Sequence, residues 1–115
     1  MMSNKQEEIY RQATEGLRRI FQAECTANID SSIQFSLTGE SAVDFYTLIK
    51  DQTLTIEPGR MASPRVTMSM EAYDFLAMLT GEISTTDAFA GGKLKVGGNL
   101  FYAMKLAPVF KFGDA

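Results

Sequence analysis

Residues Phe89 to Leu106 read FAGGKLKVGGNLFYAMKL, and this stretch decides how the fold of the whole chain is interpreted. A short strand with polar flanks, from Lys93 to Val96, leads through a pair of glycines into a helix that is apolar almost all the way round. A helix of this kind is buried, or it covers something apolar that is not part of the protein. The stretch therefore predicts a protein that holds an apolar ligand.

The helix in this stretch is predicted to run from about Asn99 to Ala107, with Lys105 as its charged residue and Pro108 ending or kinking it. The apolar run continues beyond the proline, from Val109 to Phe112. A small domain has too little core to surround such a helix on every side. We therefore expect one face to meet a sheet and another to meet a ligand, a second subunit or a bilayer. Ordinary core followed by a frayed tail is the alternative.

The composition indicates a single globular domain over residues 1–115 and narrows the classes of function. The formal net charge of −3 argues against nucleic acid as a partner, because nucleic-acid-binding surfaces are usually basic. The absence of histidine removes the commonest general base and metal ligand. Cys25 is the one cysteine, so no disulfide forms within the chain, and we expect it to be partly buried at a helix end.

Neither end of the sequence carries a recognisable targeting signal. The first residues lack the apolar segment of a signal peptide, and no apolar run reaches the roughly 18 residues that a membrane span needs. The final residues, Phe112 to Ala115, do not form a peroxisomal address. The sequence therefore predicts a cytoplasmic protein.

The first half of the chain predicts a helix followed by an antiparallel meander of strands. From about Lys5 to Glu24, apolar side chains recur at helical spacing on one face, which predicts a surface helix with one buried stripe. The alternative is a docking helix for a partner or a membrane. Apolar and polar residues then alternate in segments 33–37, 43–49 and 53–57, and residues 50–52 form a tight turn between the last two.

The second half adds two strands and completes the predicted fold class. A fourth strand is expected at residues 65–70 and a helix from about Glu71 to Gly81, followed by a short helix that begins at Ser84 or Thr85. With residues 93–96 as the fifth strand, the predicted class is α+β. The sheet is expected to be five-stranded, mixed but mainly antiparallel, and covered on one face by helices.

Two blocks of the sequence resemble the sterol carrier protein 2 domain family. The block from Val66 to Gly81, VTMSMEAYDFLAMLTG, is similar to the family's strand of alternating threonine and apolar residues followed by a helix ending in Leu-Thr-Gly. Four short segments match the family's next block in order and spacing: Ala88-Phe89, Gly92 to Lys95, Gly98-Asn99 and Ala103 to Leu106. The resemblance covers nearly the whole chain, with the first half supported by the order of its elements.

The resemblance implies a sheet roofed by helices, with an apolar tunnel that holds fatty acids, fatty acyl-CoA, phospholipids or sterols. It implies lipid binding and transfer without catalysis. The family often has Gly-Leu where this sequence has Phe101-Tyr102, so a large ring is expected to narrow or reshape the tunnel. A terminus without a peroxisomal address points to a stand-alone prokaryotic member, for which sterol is a less fitting ligand.

The candidate ligand-lining residues are apolar side chains of the predicted sheet and helices: Phe45, Leu54, Ile56, Met68, Leu76, Leu79, Phe89, Leu94, Phe101, Met104 and Leu106. Phe101 and Met104 lead this set, because the matched block places their helix. Methionine side chains repack easily around different ligands, although they fill a plain core equally well. No cofactor or metal is predicted, since Glu57, Asp74 and Asp87 are scattered and give no catalytic or metal-binding spacing.

A cluster of basic residues predicts a second kind of contact. Four lysines and no acid lie between Asp87 and Asp114. Lys93, Lys95 and Lys105 are the candidates for contact with lipid headgroups or an anionic membrane surface. A solvated face that aids solubility is the alternative.

Several functions stay open on the sequence. The leading prediction is lipid binding and transfer. The second is an accessory or scaffold protein that presents lipidic intermediates, such as isoprenoid quinone precursors, to enzymes, with residues 109–112 as the partner surface. The third is a module with a closed tunnel whose apolar helix forms a homodimer. An enzyme is the least favoured prediction.

Overall fold

The computed structural model describes residues 2–115, so Met1 of the predicted domain lies outside the described residues. The strands are β1 (Ser31–Thr38), β2 (Val43–Lys50), β3 (Thr53–Pro58), β4 (Val66–Glu71) and β5 (Lys95–Gly98). The helices are α1 (Asn4–Ile20), α2 (Ala72–Thr80), α3 (Thr85–Ala90) and α4 (Leu100–Lys105), with 3₁₀ turns at Ala23–Cys25 and Ala107–Val109. No helix within residues 2–115 has both the length and the apolar character needed to cross a membrane.

The sheet has the strand order β3-β2-β1-β4-β5 and is mixed. Strand β1 runs parallel to β4, whereas the pairs β1–β2, β2–β3 and β4–β5 are antiparallel. The turn between β2 and β3 contains only Asp51 and Gln52, which have positive φ angles of 52° and 61° as a two-residue hairpin turn requires. The predicted α+β class and the mixed, mainly antiparallel five-stranded sheet are confirmed.

The inner face of the sheet is filled with aromatic rings on its β1–β2 half. Phe35 and Phe45 stack with their ring centroids 4.9 Å apart. Phe75 of α2 meets these two rings edge-on, at 5.7 and 6.4 Å. Ala13 and Leu17 of α1 are fully buried against the same core. Helices α1 and α2 therefore close tightly over this half of the sheet.

The first helix ends four residues earlier than the sequence predicts, at Ile20 rather than Glu24. Phe21 is extended and forms a β-bridge with Phe110. On either side of the bridge, the Gln22 N–H donates to the Val109 carbonyl at 2.8 Å, and the Lys111 N–H donates to the Ile20 carbonyl at 2.9 Å. We call this pairing of residues 20–22 with residues 109–111 the clasp. Its hydrogen bonds replace those that a longer helix would form.

The apolar segment from Val109 to Phe112 belongs to the core. Val109 is fully buried and Phe110 nearly so. Phe112 lies against Phe75 with the ring centroids 6.2 Å apart. The expectation that this segment is a frayed tail or an exposed partner surface is therefore wrong, because the clasp draws it inward.

Strand β5 begins two residues later than predicted. The N–H groups of Lys93 and Leu94 both donate to the Ala88 carbonyl, at 2.9 and 3.0 Å, and so complete the end of α3. The strand then extends through the glycine pair, where Gly97 faces Thr67 and Gly98 faces Val66. The predicted strand stopped at Val96, whereas the two glycines after it also pair with β4.

Candidate functional site

A cavity of about 710 Å³ lies over the β4–β5 half of the sheet, beside the aromatic core. Its floor consists of Ile33, Val66, Met68 and Val96. Ile33 pairs with Val66, and Met68 pairs with Val96, across neighbouring strands. Side chains at paired positions share a face of a sheet, so these four apolar groups form one continuous surface.

The roof of the cavity is built from the second half of the chain. Phe89 of α3, Ala103 of α4 and Leu106 contribute from one side, and Phe110 and Phe112 contribute from the segment that the clasp holds. All five are apolar. The cavity thus lies between a strand floor and three separate roof segments, with no tightly packed helix like α1 or α2 above it, and it is open on one side.

Exposed lining residues mark the mouth of the cavity. They are Cys25, Thr85, Phe89, Ala107, Pro108 and Lys111. Phe89 both lines the cavity and is 57% exposed, so its ring stands at the opening. Cys25 was expected to be partly buried, but its thiol is exposed because the 3₁₀ turn ends at the mouth.

The polar groups of the lining are few. The Lys111 ammonium lies at the mouth, 3.2 Å from the Asp114 carboxylate. The Gln22 carboxamide also lines the cavity and donates to the Ile20 carbonyl at 3.0 Å. Thr85 adds a hydroxyl on the exposed rim. The cavity therefore combines a mainly apolar wall with a small polar region at its entrance.

The orientation of α4 is set by Tyr102. Its hydroxyl donates to the Asp30 carbonyl at 2.8 Å, and the Arg65 guanidinium lies 4.1 Å from the centre of its ring. Asn99 caps the helix by accepting from the Tyr102 N–H at 3.0 Å. These contacts fasten α4 to the starts of β1 and β4. Ala103 and Leu106 face the cavity as a result.

Four of the eleven residues predicted to line a ligand site do line this cavity: Met68, Phe89, Leu94 and Leu106. Five others lie over the β1–β2 half, where Phe45, Ile56 and Leu79 are buried in the core and Leu54 and Leu76 pack partly buried against it. The sequence shows which residues point inward. It does not show which half of the inner face is filled by aromatic rings.

The two leading candidates, Phe101 and Met104, lie outside the cavity. Their side chains are 83% and 71% exposed, and none of the residues Leu100–Lys105 is buried. The expectation that these two residues contact the interior is therefore corrected, because Tyr102 turns the opposite side of α4 inward. Lys93, Lys95 and Lys105 are also exposed.

The sequence analysis did not place several lining residues in the candidate set. They are Gln22, Cys25, Ile33, Val66, Thr85, Val96, Ala103, Ala107, Pro108, Phe110, Lys111 and Phe112. Strand alternation offered a signal for Val66 and Val96, which share a face with Met68. For Gln22 and Phe110 no local signal existed, because the clasp joins segments far apart in the sequence.

The polar side chains that line the cavity are those of Gln22, Cys25, Thr85 and Lys111. Within residues 2–115, no three His, Cys, Asp or Glu side chains come close enough to hold a metal ion. Hydrogen bonds from Gln12 and Arg11 lower the pKa of Glu8, and burial raises the pKa of Tyr10. Both groups belong to α1, and neither lines the cavity.

The sequence model of the SCP-2 sterol transfer family matches residues 4–111. The chain belongs to this family. The resemblance seen in the sequence is thereby confirmed. SCP-2 domains are lipid-transfer domains, and this family role agrees with the prediction of lipid binding and transfer.

Individual SCP-2 relatives show the extent of the similarity. Hydroxysteroid dehydrogenase-like protein 2 of Xenopus tropicalis is 35% identical over 77 residues, which cover 66% of this chain and 18% of the relative. The chain thus spans less than a fifth of that relative's length.

Solved SCP-2 structures share the fold. Sterol carrier protein 2 like 2 of Aedes aegypti superposes with a TM-score of 0.70 at 24% identity, covering 90% of this chain and 94% of the other. Sterol carrier protein 2 of the same organism, solved with the C16 fatty acid palmitate, gives a TM-score of 0.56 at 22% identity, covering 96% and 100%. At these identities the likeness is one of fold.

Proposed function

We propose that this SCP-2 domain binds one long-chain lipid in the cavity and carries it through the cytoplasm. The observation that carries the proposal is the mainly apolar cavity of about 710 Å³ between the β4–β5 half of the sheet and the roof. Its volume is typical of sites for small molecules, which span roughly 300–1,000 Å³. Membership of a sterol transfer family supports the same conclusion.

The energetics of apolar burial are sufficient for binding without many polar contacts. Each buried methylene contributes about 0.8 kcal/mol, so a chain of about 16 carbons gains roughly 12 kcal/mol. Ordering the chain and the protein costs several kcal/mol of this. A net gain of about 8 kcal/mol corresponds to micromolar affinity. A wall of this kind discriminates weakly between chains that differ by one methylene.

The ligand class that fits best is a long acyl chain with one polar or anionic head. The chain would lie against Met68, Leu94 and Leu106, and the head would lie at the mouth, near Lys111 and Gln22. The palmitate complex of the Aedes aegypti relative supports an acyl ligand.

A second candidate function is presentation of a bound lipid to an enzyme. It is favoured by the Xenopus tropicalis relative, which is named hydroxysteroid dehydrogenase-like protein 2. The match covers 18% of that relative's length, so most of the relative lies outside the part that resembles this chain. In such an arrangement the cavity would hold the lipid for a neighbouring active site. Co-purification of an enzyme with the tagged protein would support this function over free carriage.

The proposal is tested by native mass spectrometry of protein purified without detergent, followed by organic extraction. We expect a discrete added mass that extracts as an acyl lipid. An unliganded mass, together with failure to take up a fluorescent fatty acid, would contradict the proposal.

The substitution Ala103→Trp tests whether the ligand occupies this cavity. Ala103 lines the cavity, so an indole ring there fills the space that the acyl chain needs. We expect at least a tenfold loss of affinity for a fluorescent fatty acid, because several methylenes lose their contacts. Met104→Trp is the matched control, since Met104 is the next residue of the same helix and faces solvent. Equal affinities of the two variants would place the ligand elsewhere.

A further inference from the structure

Strand β3 is the last strand on one side of the sheet, so its outer edge has no neighbouring strand among the described residues. Its register with β2 is unbroken over Thr53–Pro58, and the residues on its outer face, Thr53, Thr55 and Glu57, are exposed. An unpaired edge of this length is a template for pairing with another chain, and proteins usually protect such an edge with lysines, bulges or prolines. Here Pro58, at the end of the strand, is the one protecting residue.

The opposite edge of the sheet is better protected. Strand β5 has only four residues, Lys95–Gly98, and it ends in two glycines. The lysine at its start is exposed. Short edge strands and edge lysines oppose pairing, and glycine weakens a strand. Strand β3 is therefore the edge that is open to a partner strand.

The hydrogen-bond pattern between β2 and β3 shows which backbone groups of this edge are free. The Gly59 N–H donates to the Asp44 carbonyl at 2.8 Å, one position beyond the pair that Pro58 forms with β2. Bonded and non-bonded pairs alternate along an antiparallel ladder. Leu54 and Ile56 therefore occupy non-bonded pairs with β2, and their N–H and C=O groups point away from the sheet.

We propose that a second copy of the chain pairs with this edge, with the two β3 strands antiparallel across a two-fold axis at Thr55. Below, this pairing is called the edge contact. Leu54 of each copy exchanges two hydrogen bonds with Ile56 of the other, and these pairs use all the free N–H groups of Leu54 and Ile56 on both edges. The two five-stranded sheets join into one. The edge contact lies away from the β4–β5 half and does not depend on the ligand of the cavity.

The side chains of β3 are complementary to themselves in this register. On the inner face, Leu54 lies opposite Ile56 of the second copy, and Leu54 is only partly buried in the single chain, so the contact adds apolar burial. On the outer face, Thr55 faces Thr55 of the second copy, a favourable cross-strand pair. Thr53 faces Glu57, the one charged residue of β3, so no like charges are opposed.

The neighbouring registers fit less well, which favours this arrangement of two copies. A shift of two residues in one direction places Pro58 opposite Leu54, and proline has no N–H to donate. A shift of two residues in the other direction places Gln52 opposite Ile56, and the φ of Gln52 is +61°, as its position in the turn requires. A shift of one residue brings the free groups of one edge against groups that already bond within the other sheet.

The edge contact is small, so the dimer should be weak and reversible. Stable interfaces usually bury about 800 Å² on each partner, and a contact limited to one strand edge from each copy is smaller than this. We therefore expect dimers to form at about 0.1–1 mM protein, as in other small interfaces. Sedimentation velocity over this range measures the association constant, and a parent protein that stays monomeric throughout would overturn the proposal.

A disulfide trap tests the register. In a Cys25→Ser background, Thr55→Cys places two thiols opposite each other, with Cα atoms about 4.5 Å apart as in a non-bonded antiparallel pair, which suits a disulfide. Thr53→Cys is the matched control, because it is exposed on the same face of β3 but lies about 14 Å from its counterpart, four residues along the ladder. We expect mild oxidation to cross-link Thr55→Cys at least tenfold more than Thr53→Cys. Equal cross-linking, or none for Thr55→Cys, would overturn the proposal.

An added charge tests the same contact without a covalent bond. Thr55→Lys opposes two ammonium groups at the two-fold axis, and like charges directly opposite each other destabilise strand pairing. We expect the association constant to fall at least tenfold. Thr53→Lys makes the same change in net charge, but its ammonium group faces Glu57 of the second copy, so association should be kept or strengthened.

Both threonines are exposed, so the lysine variants should retain the melting temperature of the parent protein. A dimer that persists in Thr55→Lys would place the contact elsewhere and would overturn the proposal. Equal losses for Thr53→Lys and Thr55→Lys would show an effect of net charge alone and would overturn it as well. Because none of these readouts involves a lipid, failure here leaves the proposed lipid binding to its own test.

Discussion

Gly97 and Gly98 are neighbours in the sequence, yet they carry different constraints at the scale of the residue. Gly98 has a φ of +90°, and a Cβ there would collide with the Arg65 carbonyl oxygen, a backbone atom that cannot turn aside. A Cβ on Gly97 would meet only Thr67, at an ordinary 3.8 Å. The sequence predicted a turn from the glycine pair. It could not show which glycine is required, because the colliding oxygen belongs to Arg65, which precedes β4 and is distant from Gly98 in the sequence.

The first prediction follows from this difference. Gly98→Ala should lower the free energy of unfolding by about 1–3 kcal/mol, through backbone strain and collision with Arg65. Gly97→Ala should change it by less than about 0.5 kcal/mol, because it introduces no strain. Urea denaturation followed by circular dichroism measures both. Similar destabilisation by the two substitutions would contradict the assignment of the turn to Gly98.

At the scale of the element, α4 shows where reasoning from hydrophobic pattern ends. The pattern predicted an apolar helix after the glycine pair, and the helix is there. A helix that is apolar on nearly every face gives no indication of which face turns inward. That choice is made by Tyr102, through contacts with Asp30 and Arg65 that only the folded chain brings together. Phe101 and Met104 were therefore assigned to the wrong side.

The second prediction contrasts two phenylalanines of the C-terminal region. Phe110 is 6% exposed and forms the clasp with Phe21, whereas Phe101 is 83% exposed. Phe110→Ala should destabilise the protein by about 3 kcal/mol, because it removes buried contacts and enlarges the cavity. Phe101→Ala should leave stability within about 0.5 kcal/mol of the parent. Thermal unfolding measures the stability of both variants. A larger loss of stability for Phe101→Ala than for Phe110→Ala would contradict the assignment of Phe110 to the core and Phe101 to the surface.

At the scale of the whole molecule, the two halves of the sheet have separate roles. The β1–β2 half carries the stacked rings of Phe35 and Phe45, which hold the domain together. The β4–β5 half, together with Ile33 of β1, carries the floor of the cavity. Strand alternation in the sequence identified the inner face of both halves. It could not separate them, because the roof over each half comes from segments whose positions depend on long-range contacts.

The third prediction concerns this division of the molecule. Palmitate at about a hundredfold excess over its dissociation constant should stabilise the protein by about 2.7 kcal/mol, because it binds the folded state alone. For a domain of this size the melting temperature should rise by about 10 °C. Scanning calorimetry measures the shift in the parent protein and in Ala103→Trp. A shift of the same size in that variant would show that palmitate acts outside the cavity.

The clasp also determines when the binding site comes into being. It joins residues 20–22 to residues 109–111, so the roof cannot close until the later segment has been synthesised. The hairpin of β1 and β2 emerges from the ribosome far earlier. The strands of the aromatic core are therefore available for pairing before the segment that completes the roof of the cavity. Loading of the cavity with a lipid therefore has to follow the synthesis of residues 109–111.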